Sequence, residues 1–190
     1  MTHAPPTTTD RPVTGDGRPG DADSAVEQLY AAHWRSLVRL SVLLVRDTGT
    51  AEEIVQDAFV AMHGRWGRLR EPEKGLAYLR QAVVNRSRSV LRHRKVVDRH
   101  LEVERHRGVP LAPGADEHAL EQARRESVLD AVAALPRRQR EVIALRYYLD
   151  LTEAQIADTL GISRGAVKSH ASRGAESLRQ HLGELLEDHS

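Results

Sequence analysis

Apolar residues recur every three or four positions along most of this chain, the period of an amphipathic helix. The pattern starts at Ala22 and runs through Val26, Leu29, Tyr30, Trp34, Leu37, Val38 and residues 40–45. Asp47-Thr48-Gly49 interrupts it. Thr50 is placed to cap the next helix, with Glu52 and Glu53 in a first turn where carboxylates meet the positive end of the helix dipole. Ile54, Val55, Ala58, Phe59 and Met62 form that helix's apolar stripe. Gly64, Gly67 and Pro72 bracket a loop that contains Trp66. A third helix is expected over 73–98, with Leu76, Leu79, Val83, Val84, Val90 and Leu91 inward and an outer face rich in arginine.

Periodicity is lost over 99–118, where RGVPLAPGADEH carries two prolines and two glycines and reads as a flexible linker. It resumes near Ala119 with Val128, Leu129, Val132 and Leu135, and Pro136 suits the first turn of a further helix carrying Val142, Ile143, Leu145 and Tyr148. Thr152-x-x-Gln155 is a capping-box pattern, and Gly161 can take the left-handed conformation that ends a helix sharply. Ser163 caps the helix that follows, and Val167, Ala171, Gly174 and Leu178 are its buried stripe. No strand-like alternation of useful length occurs. The expected fold is all-α: two small helical domains, residues 22–98 and 119–185, joined by the linker 99–118, the second a helix-turn-helix. Residues 1–21, polar and rich in Pro and Gly, read as a disordered tail.

Charge sharpens this picture. The formal net charge is +1, but residues 63–100 hold eleven Lys/Arg against three acids, and residues 136–182 hold eight against five. Residues 101–123 between them are acidic, with five carboxylates against two arginines. Two basic segments flanking an acidic one suggest two places for a polyanion. In a helix-turn-helix the second helix enters the major groove, and here Arg164, Lys168, Ser169, Ser172 and Arg173 are left outward or flanking. On the third helix, Arg80, Arg86, Arg88, Arg92, Arg94 and Lys95 cover a broad basic face. Trp66 and Tyr78 lie nearby in sequence, and aromatic rings beside cations suit unstacked single strands, although core packing is the stronger reading for Tyr78.

Other chemistries find little support. There is no cysteine, which excludes disulfides and thiolate metal sites and fits a reducing cytoplasm. No apolar run approaches the roughly 20 residues of a membrane span, and the N-terminus has no secretion signal. The ten histidines form no HExxH-type pair, and no glycine-rich phosphate loop or G-x-S-x-G elbow occurs, so no metal, cofactor or catalytic residue is expected.

Three blocks carry a resemblance. AEEIVQDAF at 51–59, YLRQAVVNRSRSVLRHRK at 78–95 and LPRRQREVIALRYYLDLTEAQIADTLGISRGAVKSHASRG at 135–174 are similar, in that order, to the small two-domain extracytoplasmic-function (ECF) class of bacterial RNA polymerase sigma factors, most closely the actinobacterial SigE-like group. The resemblance implies that the protein binds core RNA polymerase and directs promoter-specific initiation. By position, Glu52, Glu53, Gln56, Asp57 and Phe59 resemble the segment that docks on polymerase. Trp66 with the loop 64–74, and Arg80, Asn85, Arg88, Ser89 and Arg92, resemble the part that captures the melted −10 strand. Arg164, Gly165, Lys168, Ser169, Ser172 and Arg173 resemble the −35 reader, with Arg140 and Arg146 in support of phosphate contact or polymerase docking. Ala166, His170 and Ser172 depart from the common family pattern Gly-Thr-Val-Lys-Ser-Arg and its continuation, which bears on the −35 bases read. No sensor domain is visible, so regulation is expected from a partner such as an anti-sigma factor or from expression. A stand-alone helix-turn-helix regulator is the competing reading. It accounts for the C-terminal half but not for the basic third helix, and it would bind duplex operator without polymerase.

Overall fold

The structure, a computed structural model, describes residues 19–66, 74–101 and 117–187. Most of the expected tail (1–18) and linker (102–116), and the loop residues 67–73, lie outside the described residues. The described chain is all-α: α1 (Pro19–Val45), α2 (Thr48–His63), α3 (Gly75–Leu101), α4 (Glu117–Ala134), α5 (Arg137–Ile143) running into a π-helical turn at Ala144–Tyr148, α6 (Glu153–Leu160) and α7 (Arg164–Glu187). Helix α1 thus begins three residues before Ala22, and α3 runs three past Asp98. No helix among the described residues is long and apolar enough to cross a membrane.

The first subdomain is α1–α3, each helix packed on the other two. Ala51, Ile54, Val55, Ala58, Phe59 and Met62 are the buried stripe of α2, at the spacing the sequence shows. Leu37, Leu40 and Leu44 of α1 and Leu79, Val83 and Val84 of α3 complete the core. At the α1–α3 crossing, the small hydroxyls of Ser41 and Ser87 share a buried hydrogen bond of 3.4 Å. Pairing them satisfies two polar groups where bulkier side chains would hold the helices apart.

The α1–α2 corner corrects one expectation. Asp47, not Thr50, caps α2, its carboxylate accepting from the Thr50 amide at 2.7 Å. Helix α2 therefore starts at Thr48, and Glu52 and Glu53 fall in its second turn. Hydrogen bonding from Thr50, hydroxyl and amide, and the nearby Arg94 charge hold the Asp47 carboxyl below its ordinary pKa. An ionised carboxylate is the stronger cap beside a positive helix end, which explains why it displaces the threonine. The preceding Arg46 sits at φ 59°, a left-handed turn residue that lets α2 follow α1 with two residues between them.

The second subdomain is α4–α7. Its helix-turn-helix forms as the sequence suggests: Thr152 and Gln155 make a reciprocal capping box, Gly161 is left-handed at φ 64°, and the Ala157 carbonyl accepts from the Gly161 and Ile162 amides. Pro136 stands one residue earlier than expected, as the N-cap of α5. Helices α5 and α7 approach closely at Gly174. A Cβ on Gly174 would lie 2.8 Å from Ile143 Cγ1 and 3.3 Å from Gln139 Cβ.

The two subdomains do not stand apart. Helix α1 packs on α4, α5 and the π-turn, and α3 packs on α6. Buried residues of both, from Leu44 and Val84 to Val142 and Leu145, belong to one continuous apolar cluster.

Gly174→Ala should destabilise the chain by about 1 kcal/mol, because overpacking of roughly 1–3 kcal/mol outweighs alanine's helix advantage of about 1 kcal/mol. Gly183→Ala on the same helix, with nothing within 4 Å of the new Cβ, should instead stabilise it by up to about 1 kcal/mol. Urea midpoints of the two variants should therefore move in opposite directions.

Candidate nucleic-acid interface

Helix α7 opens with exposed residues, Ser163, Arg164 and Gly165. The Ser163 hydroxyl accepts from the Ala166 amide at 3.1 Å, fixing the first turn. Val167 and Ala171 turn inward, and Arg164, Gly165, Lys168, Ser169, Ser172 and Arg173 are all exposed on the remaining face. Within it, Arg173 donates to the Ser169 hydroxyl at 2.6 Å and to the Ser169 carbonyl at 3.3 Å, lying back along the helix. Lys168 Nζ is 3.8 Å from a carboxylate oxygen of Glu153, which is also 3.6 Å from Arg146 through its other oxygen. The Glu153 carboxylate thus tethers both cations loosely at the start of α6. His170 is half-buried, its Nδ1 buried with no hydrogen-bond partner, so it belongs to the packed side of α7 and not to the outward face.

On α3 the residues of the second candidate face are joined by hydrogen bonds. Arg88 Nη1 donates to Asn85 Oδ1 at 3.0 Å, Ser89 Oγ donates to the Asn85 carbonyl at 3.2 Å, and Arg92 Nη2 donates to Ser89 Oγ at 3.2 Å. Asn85, Ser89 and Arg92 are exposed and, one turn apart, share one side of the helix. Arg80 is half-buried, and burial pulls its pKa below the ordinary arginine value. Trp66 packs against the core beside Gly75, whose Cβ would lie 3.4 Å from its ring, so only part of the indole is open. Tyr78 is likewise half-buried, its hydroxyl accepting from Arg65 at 3.4 Å.

Several arginines counted on a solvated face are engaged inside the protein. Arg94 donates to the Val45 carbonyl (3.1 Å) and the Thr50 hydroxyl (2.6 Å), tying α3 to the α1–α2 corner. Arg86 is 3.8 Å from Asp57 of α2. Arg88 makes a two-pronged ion pair with Glu141 of α5, at 2.7 and 2.8 Å. Arg140 reaches the carbonyls of Leu44 (3.0 Å), Leu135 (3.2 Å) and Ala133. Burial lowers its pKa, against the Glu141 charge that raises it. The suggested phosphate or polymerase role of Arg140 is therefore corrected: its fork caps helix ends.

On α2, Glu52, Glu53, Gln56 and Asp57 are exposed and surround Val60, an apolar side chain 65% open to solvent. Phe59 is 5% exposed, inward as its place in the apolar stripe implies, and packs against Tyr30 (5.2 Å between ring centres) and Trp34 (6.2 Å), so it supports this face from within. The sequence reading missed Val60, Glu141, Glu153 and Asp130. Val60 breaks the buried stripe of α2, a visible signal; the other three are ordinary surface acids in sequence.

These two basic faces correspond to matched families. Residues 29–96 match sigma-70 region 2, and residues 125–178 match sigma-70 region 4. The chain is 31% identical to RNA polymerase sigma-E factor of Streptomyces avermitilis, over 82% of this chain and 84% of that one. It is 32% identical to the ECF RNA polymerase sigma factor SigM of Mycobacterium tuberculosis, over 85% and 79%. The chain belongs to the ECF class of RNA polymerase sigma factors. Sigma factors are non-catalytic proteins that bind core RNA polymerase and recognise promoters. Similar identities to SigM and to sigma-E fix the class and not a subgroup within it. The chain spans 40% of the length of the probable sigma factor RfaY of Xanthomonas campestris, to which it is 28% identical. In fold, this sigma factor is similar to RpoE of Bartonella quintana, solved in complex with the anti-sigma factor NepR, with a TM-score of 0.66, 21% identity, and coverage of 83% of this chain and 96% of that one.

Arg140→Met should lower the stability of this sigma factor by about 2–3 kcal/mol, because three carbonyls lose a charged donor. Arg140→Lys should recover little, since a single ammonium cannot reproduce the guanidinium fork. Urea unfolding followed by circular dichroism measures both.

Proposed function

We propose that the chain reads promoters with two arms: α7 reads −35 DNA in the major groove, and the Asn85-Arg88-Ser89-Arg92 face of α3, with Arg80 and Trp66, captures the melted −10 strand. The exposed face of Glu52, Glu53, Gln56, Asp57 and Val60 on α2 docks on core polymerase. The domain roles follow: residues 22–98 hold polymerase and the −10 element, residues 119–185 hold the −35 element, and 99–118 link them.

The observation that carries this reading is the outward row of Arg164, Lys168, Ser169, Ser172 and Arg173 on a helix capped at Ser163. A helix with cations and hydroxyls outward has the donors that phosphates and base edges accept. On α3, amide, hydroxyl and guanidinium groups alternate, which suits contact with the edges of unstacked bases. The stand-alone regulator reading leaves the α3 face and the α2 face without a role. The SigE-like assignment is supported by the Streptomyces relatives, and an anti-sigma partner by the RpoE–NepR complex, whose sigma subunit shares this fold.

Run-off transcription with core polymerase tests the proposal. Specific initiation from genomic promoters is expected, and failure on every one of them would remove it. Lys168→Ala and Arg173→Ala should each weaken binding of the holoenzyme to −35 DNA and lower the slope of log affinity against log salt by about one. Retention on core polymerase, measured by gel filtration, should be unchanged in both.

A further inference from the structure

Arg88 lies on the face proposed to capture the −10 strand, yet its guanidinium is held by the other subdomain. Its Nε and Nη2 donate to the two oxygens of Glu141, at 2.7 and 2.8 Å. The Glu141 side chain is 2% exposed and that of Arg88 15%. Two further polar contacts cross the same boundary, Arg46 with Asp130 and Arg140 with the Leu44 carbonyl.

A guanidinium fork pairs with a carboxylate, a phosphate or the edge of guanine through the same parallel donors. One fork cannot serve Glu141 and nucleic acid together. The geometry points to Glu141 as an internal competitor of the −10 strand: it occupies Arg88, holds α5 against α3, and must be displaced before the strand-capture face is complete. The inference rests on the proposed −10 role of Arg88.

The surroundings of Glu141 suit a releasable contact better than a permanent one. Arg138 donates to the same carboxylate at 3.0 Å, and Arg137 lies 3.9 Å from it, both from its own helix. If α5 leaves α3, Glu141 keeps these partners and Arg88 returns to water beside Asn85. Neither charge is left buried and alone, the outcome that makes breaking most buried ion pairs prohibitive.

The chain has no cysteine, so Glu27→Cys on α1 and Gln180→Cys on α7, both exposed, give a full-length protein labelled only at those sites for resonance energy transfer. Glu141→Gln should lower transfer efficiency. It should also tighten binding of a fluorescent single-stranded −10 oligonucleotide severalfold, because apparent affinity rises with the fraction of the chain in which Arg88 is free. Asp130→Asn breaks an exposed contact and so tests the same closure without touching a buried charge. It should shift both readouts in the same direction by a smaller factor.

Unchanged transfer in both variants would overturn the inference, as would lowered transfer with unchanged strand affinity. Arg88→Ala separates the two readings. If it binds the oligonucleotide as tightly as the unsubstituted chain does, the −10 role of Arg88 fails and the competition fails with it. If it loses the oligonucleotide while Glu141→Gln leaves affinity unchanged, the −10 role stands and only the competition is lost.

Discussion

The carbonyls at the C-terminal end of α1 need donors, and much of the structure is arranged around supplying them. A helix leaves its last carbonyls without intrahelical partners, at the negative end of its dipole. Here the Val45 carbonyl accepts from Arg94 of α3 and the Leu44 carbonyl from Arg140 of α5, with Arg46 turned left-handed just beyond. Guanidinium groups from both subdomains thus converge on one helix end. Arg94 also takes the Thr50 hydroxyl and lies 3.6 Å from Asp47, so the start of α2 is fixed by the same side chain that finishes α1. Arg140 likewise finishes α4 through Ala133 and Leu135. The packing of the two subdomains is in this sense a capping arrangement, with the apolar cluster filling the space beneath it.

That arrangement divides the basic residues into two populations that composition cannot separate. Arg88, Arg94 and Arg140 have protein acceptors: the carboxylates of Glu141 and Asp47, the Thr50 hydroxyl and several carbonyls. Arg92, Arg164, Lys168 and Arg173 stand on exposed faces, where their contacts are with hydroxyls or with a loosely placed carboxylate and are open to exchange. In the proposed reading, phosphate contact falls to the second population. Counting all eleven Lys/Arg of residues 63–100 as a polyanion surface overstates what α3 offers in this arrangement.

The same division explains what was legible in the sequence. Caps, stripes and the Gly161 corner are set by residues within about four positions of one another, and they read correctly because their physics is local. The α1–α2 corner was misjudged within that range: Asp47 and Thr50 are both competent caps, and the Thr50 hydroxyl is engaged by Arg94, more than forty residues away. Phe59 read correctly as part of the apolar stripe of α2, but helical spacing alone does not show that Tyr30 and Trp34 supply an aromatic pocket for it. Glu141 carried no signal at all. Its place three residues after Arg138 predicts a surface helix pair, and only the folded chain brings in Arg88, at a sequence separation of 53.

Local and distant construction also set the two proposed arms apart. The α7 arm is built from its own turn: Ser163 caps it, Ser169 supports Arg173, and Glu153 of the adjoining α6 supplies the nearest carboxylate. None of these contacts involves α1–α3. The α3 arm is different, because its central guanidinium has a competing partner on α5. A reader assembled this way has one arm built from local contacts and one whose completion depends on arrangement. The requirement suits strand capture, since a melted −10 strand is available only after promoter and polymerase have come together. An arm free to bind single strands at any time would meet many that are not promoters.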